Sequence, residues 1–322
     1  MTVLAVGSVG LDTVETPFGR VEDVLGGAAA YFALAASPLT RVRLVGVIGS
    51  DFPRQYVELL ASRRVDLAGL QCVPGGRTFR WVGSYNFDLN VARTLDTRLN
   101  VFADFQPRLP EEFRDSEYVY LANITPALQL DVLRQVRNPR FVGLDSMNFW
   151  IGNPETRRVL AEVVARVDAV FMNDAELRQY TGRYNLLEAA RRVLAQGPRV
   201  VLIKKGEHGA MAVSRAGVFV AAAYPLELVK DPTGAGDSFA GGFMGHLAET
   251  GDTSWPGLKR AMVHGSALAS FTVEDFSVTR LLSLRAEEIR NRCELLRECT
   301  AFESQLAPAD GSRSVQALSI GV

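Results

Sequence analysis

Apolar residues along this chain fall into short compact blocks, separated by longer stretches in which apolar and polar positions recur at helical spacing. The run 2–9 is almost wholly apolar and closes on Gly7 and Gly10, which predicts a buried strand passing into a loop. A glycine pair, Gly26-Gly27, opens a block of small and apolar residues through Ala36, which predicts a tight turn entering a helix. A second strand is expected over 41–48 and a helix over 52–64. From residue 117 the alternation is regular: strands over 118–122, 141–145, 169–172 and 200–203, with helices over 127–136, 155–166, 174–180 and 186–195. A hairpin is expected over 210–213 and 218–223, followed by helices over 238–249, 257–271 and 285–302. Alternation of this kind implies a mostly parallel sheet covered on both faces.

Residues 78–102 break the rhythm. They are rich in β-forming residues, with strands expected over 78–85 and 95–102 and no helical pattern between them. Together with the more polar stretch 12–25 they read as a small β lid on a single large domain spanning 1–305. Residues 306–322 have little periodicity and read as a mobile tail. No internal repeat is visible.

Composition narrows the function. Nearly half of the 322 residues are apolar, enough for a substantial core. The 35 basic and 36 acidic residues nearly cancel, so charge gives no reason to invoke nucleic acid or an anionic membrane as partner. No apolar run reaches membrane length. Cys72, Cys293 and Cys299 form neither a disulfide framework nor a zinc pattern, which fits a reducing, cytoplasmic setting.

The most informative stretch is Asp231-Pro-Thr-Gly-Ala-Gly-Asp237, which runs into the small and apolar residues 238–247. A glycine turn that becomes the first turn of a helix presents backbone N–H groups without intrahelical partners, at the positive end of the helix dipole. That is an anion site, and Gly234 and Gly236 let a bulky anion approach the backbone. A bare Gly-x-Gly-Asp is more simply a loop and a helix start. The full seven residues are more specific. They resemble the C-terminal signature of the ribokinase-like, or phosphofructokinase-B, carbohydrate kinases, and the resemblance extends by motif order over about residues 2–303. It implies a ribokinase-like three-layer α/β sandwich with a β lid. It also implies transfer of the ATP γ-phosphoryl group to a primary hydroxyl of a small sugar or nucleoside, with Mg²⁺. Gly234, Ala235 and Gly236 would form the anion hole and Asp237 the catalytic base. The helix terminus is expected to lower the pKa of Asp237. Asp231 and Thr233 are candidates for a monovalent-cation (K⁺) site known in some relatives, and the lid is a candidate surface for a homodimer.

Other motifs carry the resemblance less strongly. Asn173-x-x-Glu176 has capping-box spacing at a strand-to-helix passage, which accounts for it without chemistry. It is similar to the family motif in which the glutamate helps to hold Mg²⁺, largely through water. Gly206 and Gly209, after the strand ending at Ile203, look like the family's nucleotide-binding turn, with Lys204 where many members have Thr. His264, on the helix over 257–271, is carried over as a nucleotide contact. Asp12, Gly26 and Gly27 resemble the acceptor-binding elements. Tyr31 stands where many members have Asn, so it either lines the acceptor pocket or belongs to the core. Asp145 ends a strand and faces the same crevice, although a loop with polar caps explains it equally well. His246 reads as a satisfied core or surface histidine. Arg77, Arg80 and Arg93 are available at the lid for a phosphorylated acceptor.

Two other classes are weighed against a kinase. A dinucleotide-dependent oxidoreductase needs Gly-x-Gly-x-x-Gly after the first strand. Here the first strand leads to Gly7 and Gly10, and Phe239 takes the third glycine position after Gly234 and Gly236. A non-catalytic ligand-binding or regulatory domain predicts decay of the anion turn or of Asp237, and both are intact. A P-loop kinase is excluded, because the chain contains no Gly-Lys dipeptide.

Overall fold

The protein is described from a computed structural model, in which residues 1–302 are defined. The expected tail at 306–322 lies outside the described residues. Two sheets form the scaffold. The large one has nine strands: β1 (Thr2–Val6), β4 (Arg41–Gly49), β5 (Val65–Val73), β8 (Tyr118–Leu121), β9 (Phe141–Asp145), β10 (Ala169–Asn173), β11 (Val200–Lys204), β12 (Ala210–Ser214) and β13 (Gly217–Ala221). Their order is β13-β12-β11-β10-β9-β8-β1-β4-β5, parallel from β11 to β5, with β12 and β13 antiparallel at one edge.

Alternating side chains of this sheet serve two cores. Val3, Ala5, Tyr118, Tyr120, Phe141, Val200 and Leu202 face helices α1 (Ala28–Ala36), α8 (Ala235–Thr250), α9 (Trp255–Thr272) and α11 (Ala286–Thr300). Leu4, Val6, Val119, Leu121, Val142, Val201 and Ile203 face α3 (Pro126–Gln135), α5 (Pro154–Val164), α6 (Asp174–Thr181) and α7 (Leu186–Leu194). Strands buried on both sides explain the nearly continuous apolar blocks in the sequence. Three further α-helices lie among the described residues: α2 (Arg54–Ser62), α4 (Asn148–Gly152) and α10 (Thr279–Leu282). No helix among the described residues is long and apolar enough to cross a membrane.

The second sheet is the lid. It consists of β2 (Gly10–Thr16), β3 (Gly19–Gly26), β6 (Phe79–Ser84) and β7 (Arg93–Arg98), in the order β3-β2-β6-β7. The β2–β6 pair is parallel and its two flanking pairs are antiparallel. Within 78–102 the β6–β7 pair is antiparallel, and the parallel β2–β6 pair joins it to the segment from the start of the chain. The strand expected over 95–102 lies over Arg93–Arg98 instead. Asn100 adopts a positive φ of 50° and donates through its side chain to the Thr78 carbonyl at 2.8 Å, which ends the strand and starts a 3₁₀ turn.

Helix α8 starts at Ala235, three residues earlier than its apolar pattern suggested, so Asp237 lies inside its first turn. This helix packs between α1 and α9 at close range. A Cβ placed on Gly242 would come within 2.7 Å of the His264 carbonyl oxygen on α9. Gly242→Ala is therefore expected to force α8 from α9 and to cost about 1–3 kcal/mol, the usual penalty for overpacking a core. Urea unfolding would measure it, and an unchanged midpoint would contradict this packing.

Candidate active site

The carboxyl-terminal ends of the parallel strands deliver the polar groups, where open α/β sheets bind their ligands. Asp145 ends β9, Asn173 ends β10 and Lys204 ends β11, with Asn173 and Lys204 in register. Asp145 is 3% exposed. Its carboxylate accepts from the Tyr120 hydroxyl at 2.9 Å and from Lys204 Nζ at 2.8 and 3.0 Å. Burial works against the Lys204 ammonium, but the charges of Asp145, Glu176 and Asp237 outweigh it and hold its pKa above the ordinary lysine value. Lys204 is thus neither solvated nor peripheral. Asp145 also caps the loop, accepting from the Ser146 N–H at 2.9 Å, and its only sequence signal was its place at a strand end.

The glycine turn lies beside this ion pair. Gly234 has φ 76° and ψ 1°, a left-handed conformation that glycine adopts without steric cost. A Cβ on Gly236 would sit 3.1 Å from Lys204 Nζ, so the ammonium lies directly against the turn. The Ala235 N–H donates to the Pro232 carbonyl at 3.2 Å, and the Asp237 N–H bonds its own carboxyl, which lowers the Asp237 pKa.

Asp237 departs from expectation. Its pKa is raised to about 7, first by burial and then by the charge of Asp145, with Lys204 opposing. Desolvation outweighs the helix terminus. Glu176 is likewise raised to about 7, mainly by burial, and Asp12 to about 7 by burial, with Asp231 and Asp237 adding to it. Asn173 and Glu176 form a complete capping box: the Asn173 side chain accepts from the Glu176 N–H at 2.8 Å, and Glu176 accepts from the Asn173 N–H at 2.9 Å. The capping reading is therefore correct, and the same Glu176 carboxyl also shares the field of Lys204, Asp145 and Asp237.

Asp12 sits on β2 of the lid, against the diglycine. A Cβ on Gly26 would overlap the Asp12 carboxylate, and Gly27, with φ 94°, precedes α1. Tyr31 is 1% exposed and its ring packs under Gly234, so it forms the floor of the anion turn. Its hydroxyl is buried with no hydrogen-bond partner among the described residues. Asp231 is buried, and its two oxygens accept from the Thr233 N–H at 2.8 Å and the Ser277 N–H at 3.2 Å. Thr233 Oγ1 meets the hydroxyl of Tyr85 at 3.2 Å. Sequence reasoning did not single out Tyr85, which follows β6 directly. Nothing in its spacing marks it; only the folding of the lid onto the core brings it to the turn.

Gly206 and Gly209 bound a 3₁₀ turn after β11, with φ 55° and 80°. His264 lies elsewhere. Its ring stacks on His246 at 3.9 Å between centroids, and Nδ1 is 2.9 Å from the Arg260 carbonyl oxygen. His246 is nine positions beyond Asp237 on α8, roughly 13 Å along the helix axis. His246 is not a satisfied histidine: both ring nitrogens are buried with no hydrogen-bond partner among the described residues, and burial, then His264 and Arg260, push its pKa down to about 4. Arg80 is paired with Asp23 and Asp51. Arg77 and Arg80 line a charged cavity of about 520 Å³, shared with Thr13 and Arg98, that includes none of the Asp12–Asp237 site residues.

These residues fit magnesium. Asp145, Glu176 and Asp237 are oxygen donors gathered around the ammonium of Lys204, and the pKa values of Glu176 and Asp237 are raised to about 7, first by burial and also by the charge of Asp145. No group of three or more His, Cys, Asp or Glu converges as direct ligands among the described residues. The set therefore suits a hard cation that keeps several waters and is shared with phosphate oxygens.

A nine-stranded α/β sheet with this cluster at its carboxyl edge and a β lid above it is a ribokinase-like fold. The chain matches a crystal structure of a putative ribokinase II in complex with ATP and Mg²⁺ from E. coli with a TM-score of 0.76 and 19% identity, over 91% of this chain and 99% of that one. Residues 5–283 match the model of the pfkB family carbohydrate kinases, and the chain belongs to that family. Among curated proteins it is 32% identical to a cytidine kinase of Thermococcus kodakarensis, over 76% of this chain and 87% of that one. It is 28% identical to a nucleoside kinase of Methanothermobacter thermautotrophicus, over 85% and 89% of the two chains. The protein is a sugar or nucleoside kinase, of a family that uses ATP and Mg²⁺.

The raised carboxyl groups have a consequence for stability. Asp12, Glu176 and Asp237 release their protons near pH 4 when unfolded but near pH 7 when folded. The folded state binds more protons between these values, so their contribution is present below about pH 4 and is lost as pH rises through about 7. Asp237→Asn should therefore stabilise the ligand-free protein at pH 8, by about 1–3 kcal/mol, and give no gain at pH 4. Thermal melts at the two pH values test this; an equal shift at both would contradict it.

Proposed function

We propose that the chain transfers the γ-phosphoryl group of Mg·ATP to a primary hydroxyl of a nucleoside, with Asp237 as the base. The observation that carries this reading is a carboxyl with a pKa near 7, placed in the first turn of a helix whose glycine turn lies against a lysine ammonium. A base poised near the working pH combines availability with driving force. Asp237 would take the hydroxyl proton as the acceptor oxygen bonds to phosphorus and the bond to the ADP oxygen breaks. The N–H groups of Gly236 and Asp237, with Lys204, would hold the transferred group, and Asp145 and Tyr120 fix Lys204 in place. Bound magnesium would supply charge neutralisation on the phosphates, near Glu176 and Asp145. Such catalysis is mainly positioning and electrostatics.

The turn at Gly206–Gly209 would receive the nucleotide. Asp12 would accept hydroxyl bonds from the acceptor over Gly26 and Gly27, with Tyr31 below. The nucleoside assignment draws on the named activities of the cytidine and nucleoside kinases above. The engagement of Arg80 with Asp23 and Asp51 argues for an acceptor without a phosphate of its own. Asp231 and Thr233 remain the candidates for a monovalent cation.

An ATP-consumption screen over nucleosides and sugars identifies the acceptor; turnover of sugars alone would overturn the nucleoside assignment. With that acceptor, Asp237→Asn should lower kcat by about 10²–10⁴-fold while ATP still binds. Retention of more than about a tenth of parental kcat would remove Asp237 as the base. Glu176→Gln keeps a capping side chain, so the fold should survive while the Mg²⁺ needed for half-maximal rate rises. An unchanged Mg²⁺ titration would reduce Glu176 to a cap.

A further inference from the structure

The loop joining β6 to β7 reaches out of the lid and touches the core at two separate places. At its start the Tyr85 hydroxyl meets Thr233, next to the anion turn. Five residues later Asn90 reaches the turn after β11. Its Nδ2 donates to Glu207 Oε1 at 3.2 Å, and its Oδ1 accepts from the Glu207 N–H at 3.4 Å. That same oxygen lies so close to Gly206 that a Cβ there would overlap it. Gly206 therefore makes room for the loop, apart from its positive φ. Asp88 braces the arrangement by accepting from the Asn90 N–H at 3.1 Å and from Nδ2 at 3.3 Å. Between the two anchors Phe87 is 88% exposed, so the middle of the loop is not held by packing.

We propose that residues 85–90 form a strap across the nucleotide track, with Asn90 as a positioning residue that latches the acceptor lid to the turn at Gly206–Gly209. The inference rests on the reading of that turn as the nucleotide site and of Gly234–Asp237 as the phosphoryl site. A strap fixed at Thr233 and at Gly206 then roofs the path between them. It must release for nucleotide to enter or leave, and it closes over the triphosphate when both ends are engaged. Because the strap continues into β6 and β7, closing the lid on an acceptor also favours the latched turn. The latch is one exposed amide-to-carboxylate contact with a weak backbone bond, which suits a contact made and broken in each cycle. A roof that excludes water also protects ATP from hydrolysis when no acceptor is present to compete.

The test uses the full chain with its identified acceptor. Asn90→Ala removes the latch and should raise KM for ATP about two- to five-fold, the size of one exposed polar contact, with kcat changed less. It should also raise the ratio of ATP hydrolysed to acceptor phosphorylated. Asn90→Asp sets a carboxylate against Glu207 and should behave like Asn90→Ala or more severely. Combining Asn90→Asp with Glu207→Gln restores the pair with donor and acceptor exchanged, and should return KM and the hydrolysis ratio toward parental values. A purely structural role predicts lower melting temperatures without this rescue. If both single variants keep the parental KM and hydrolysis ratio, the latch is overturned. Amide exchange separates this failure from failure of the underlying reading: ATP should slow exchange at residues 205–209 in the parent protein. Protection there with silent Asn90 variants overturns the latch alone, whereas no protection overturns the nucleotide turn and the latch together.

Discussion

The candidate site depends on one half-buried cation. Lys204 ends a central strand, and three carboxyl groups from three other elements, β9, α6 and the head of α8, share its charge. One ammonium cannot neutralise three carboxylates. The direct pair with Asp145 takes most of its capacity, at 2.8 and 3.0 Å to the two oxygens. Glu176 and Asp237 are left partly uncompensated, and burial pushes their pKa values up to about 7. The same imbalance that costs the ligand-free protein stability gives Asp237 the proton affinity that the proposed role as base would use. It also leaves a local surplus of negative charge that a hard cation bound with phosphate would relieve. Breaking the pair by neutralising Asp145 would leave Lys204 to Glu176 and Asp237, so the pair sets the protonation of the whole cluster.

The scaffold makes that cluster possible through close packing. Helix α8 must bring its first turn to the ends of β9 and β11, and it does so by lying between α1 and α9 with glycines at the contacts. Gly242 meets the α9 backbone, and Gly245 lies against the backbone of Ala36 on α1. These positions read in the sequence only as small residues in an apolar helix. Their packing role appears once the neighbouring backbones are known.

Much of the fold was legible because both faces of the central sheet are buried. Strands such as β9, expected at 141–145 and found over Phe141–Asp145, stand out as apolar blocks between amphipathic helices. The strands whose bounds could not be read are those with a wet face. β2 and β3 carry Glu15, Arg20, Glu22 and Asp23, and β5 lies at the sheet edge with several part-exposed positions. The head of α8 was legible as chemistry before it was legible as structure: Asp237 was identified from its motif, yet its pKa moved opposite to the direction the helix dipole suggested. A dipole acts locally and could be read from the sequence. Desolvation depends on every group packed around the carboxyl, and Asp145 arrives from a strand more than ninety residues away in the chain.

The lid shows the same limit in another form. Its β character was visible in 78–102, but its use depends on two contacts of long sequence separation. Tyr85 reaches Thr233 and Asn90 reaches Glu207, each more than a hundred residues away. Neither residue has a motif, because neither needs a particular neighbour in the chain; each needs a particular neighbour in space. The glycines they approach do have a motif, since the turn geometry there demands it. A site assembled this way divides its information unevenly. The parts proposed to bind phosphate through backbone are written locally, in glycines at fixed spacing. The parts that tie the lid to the core are single side chains, Tyr85 and Asn90, and they are readable only after the two sheets have been set against each other.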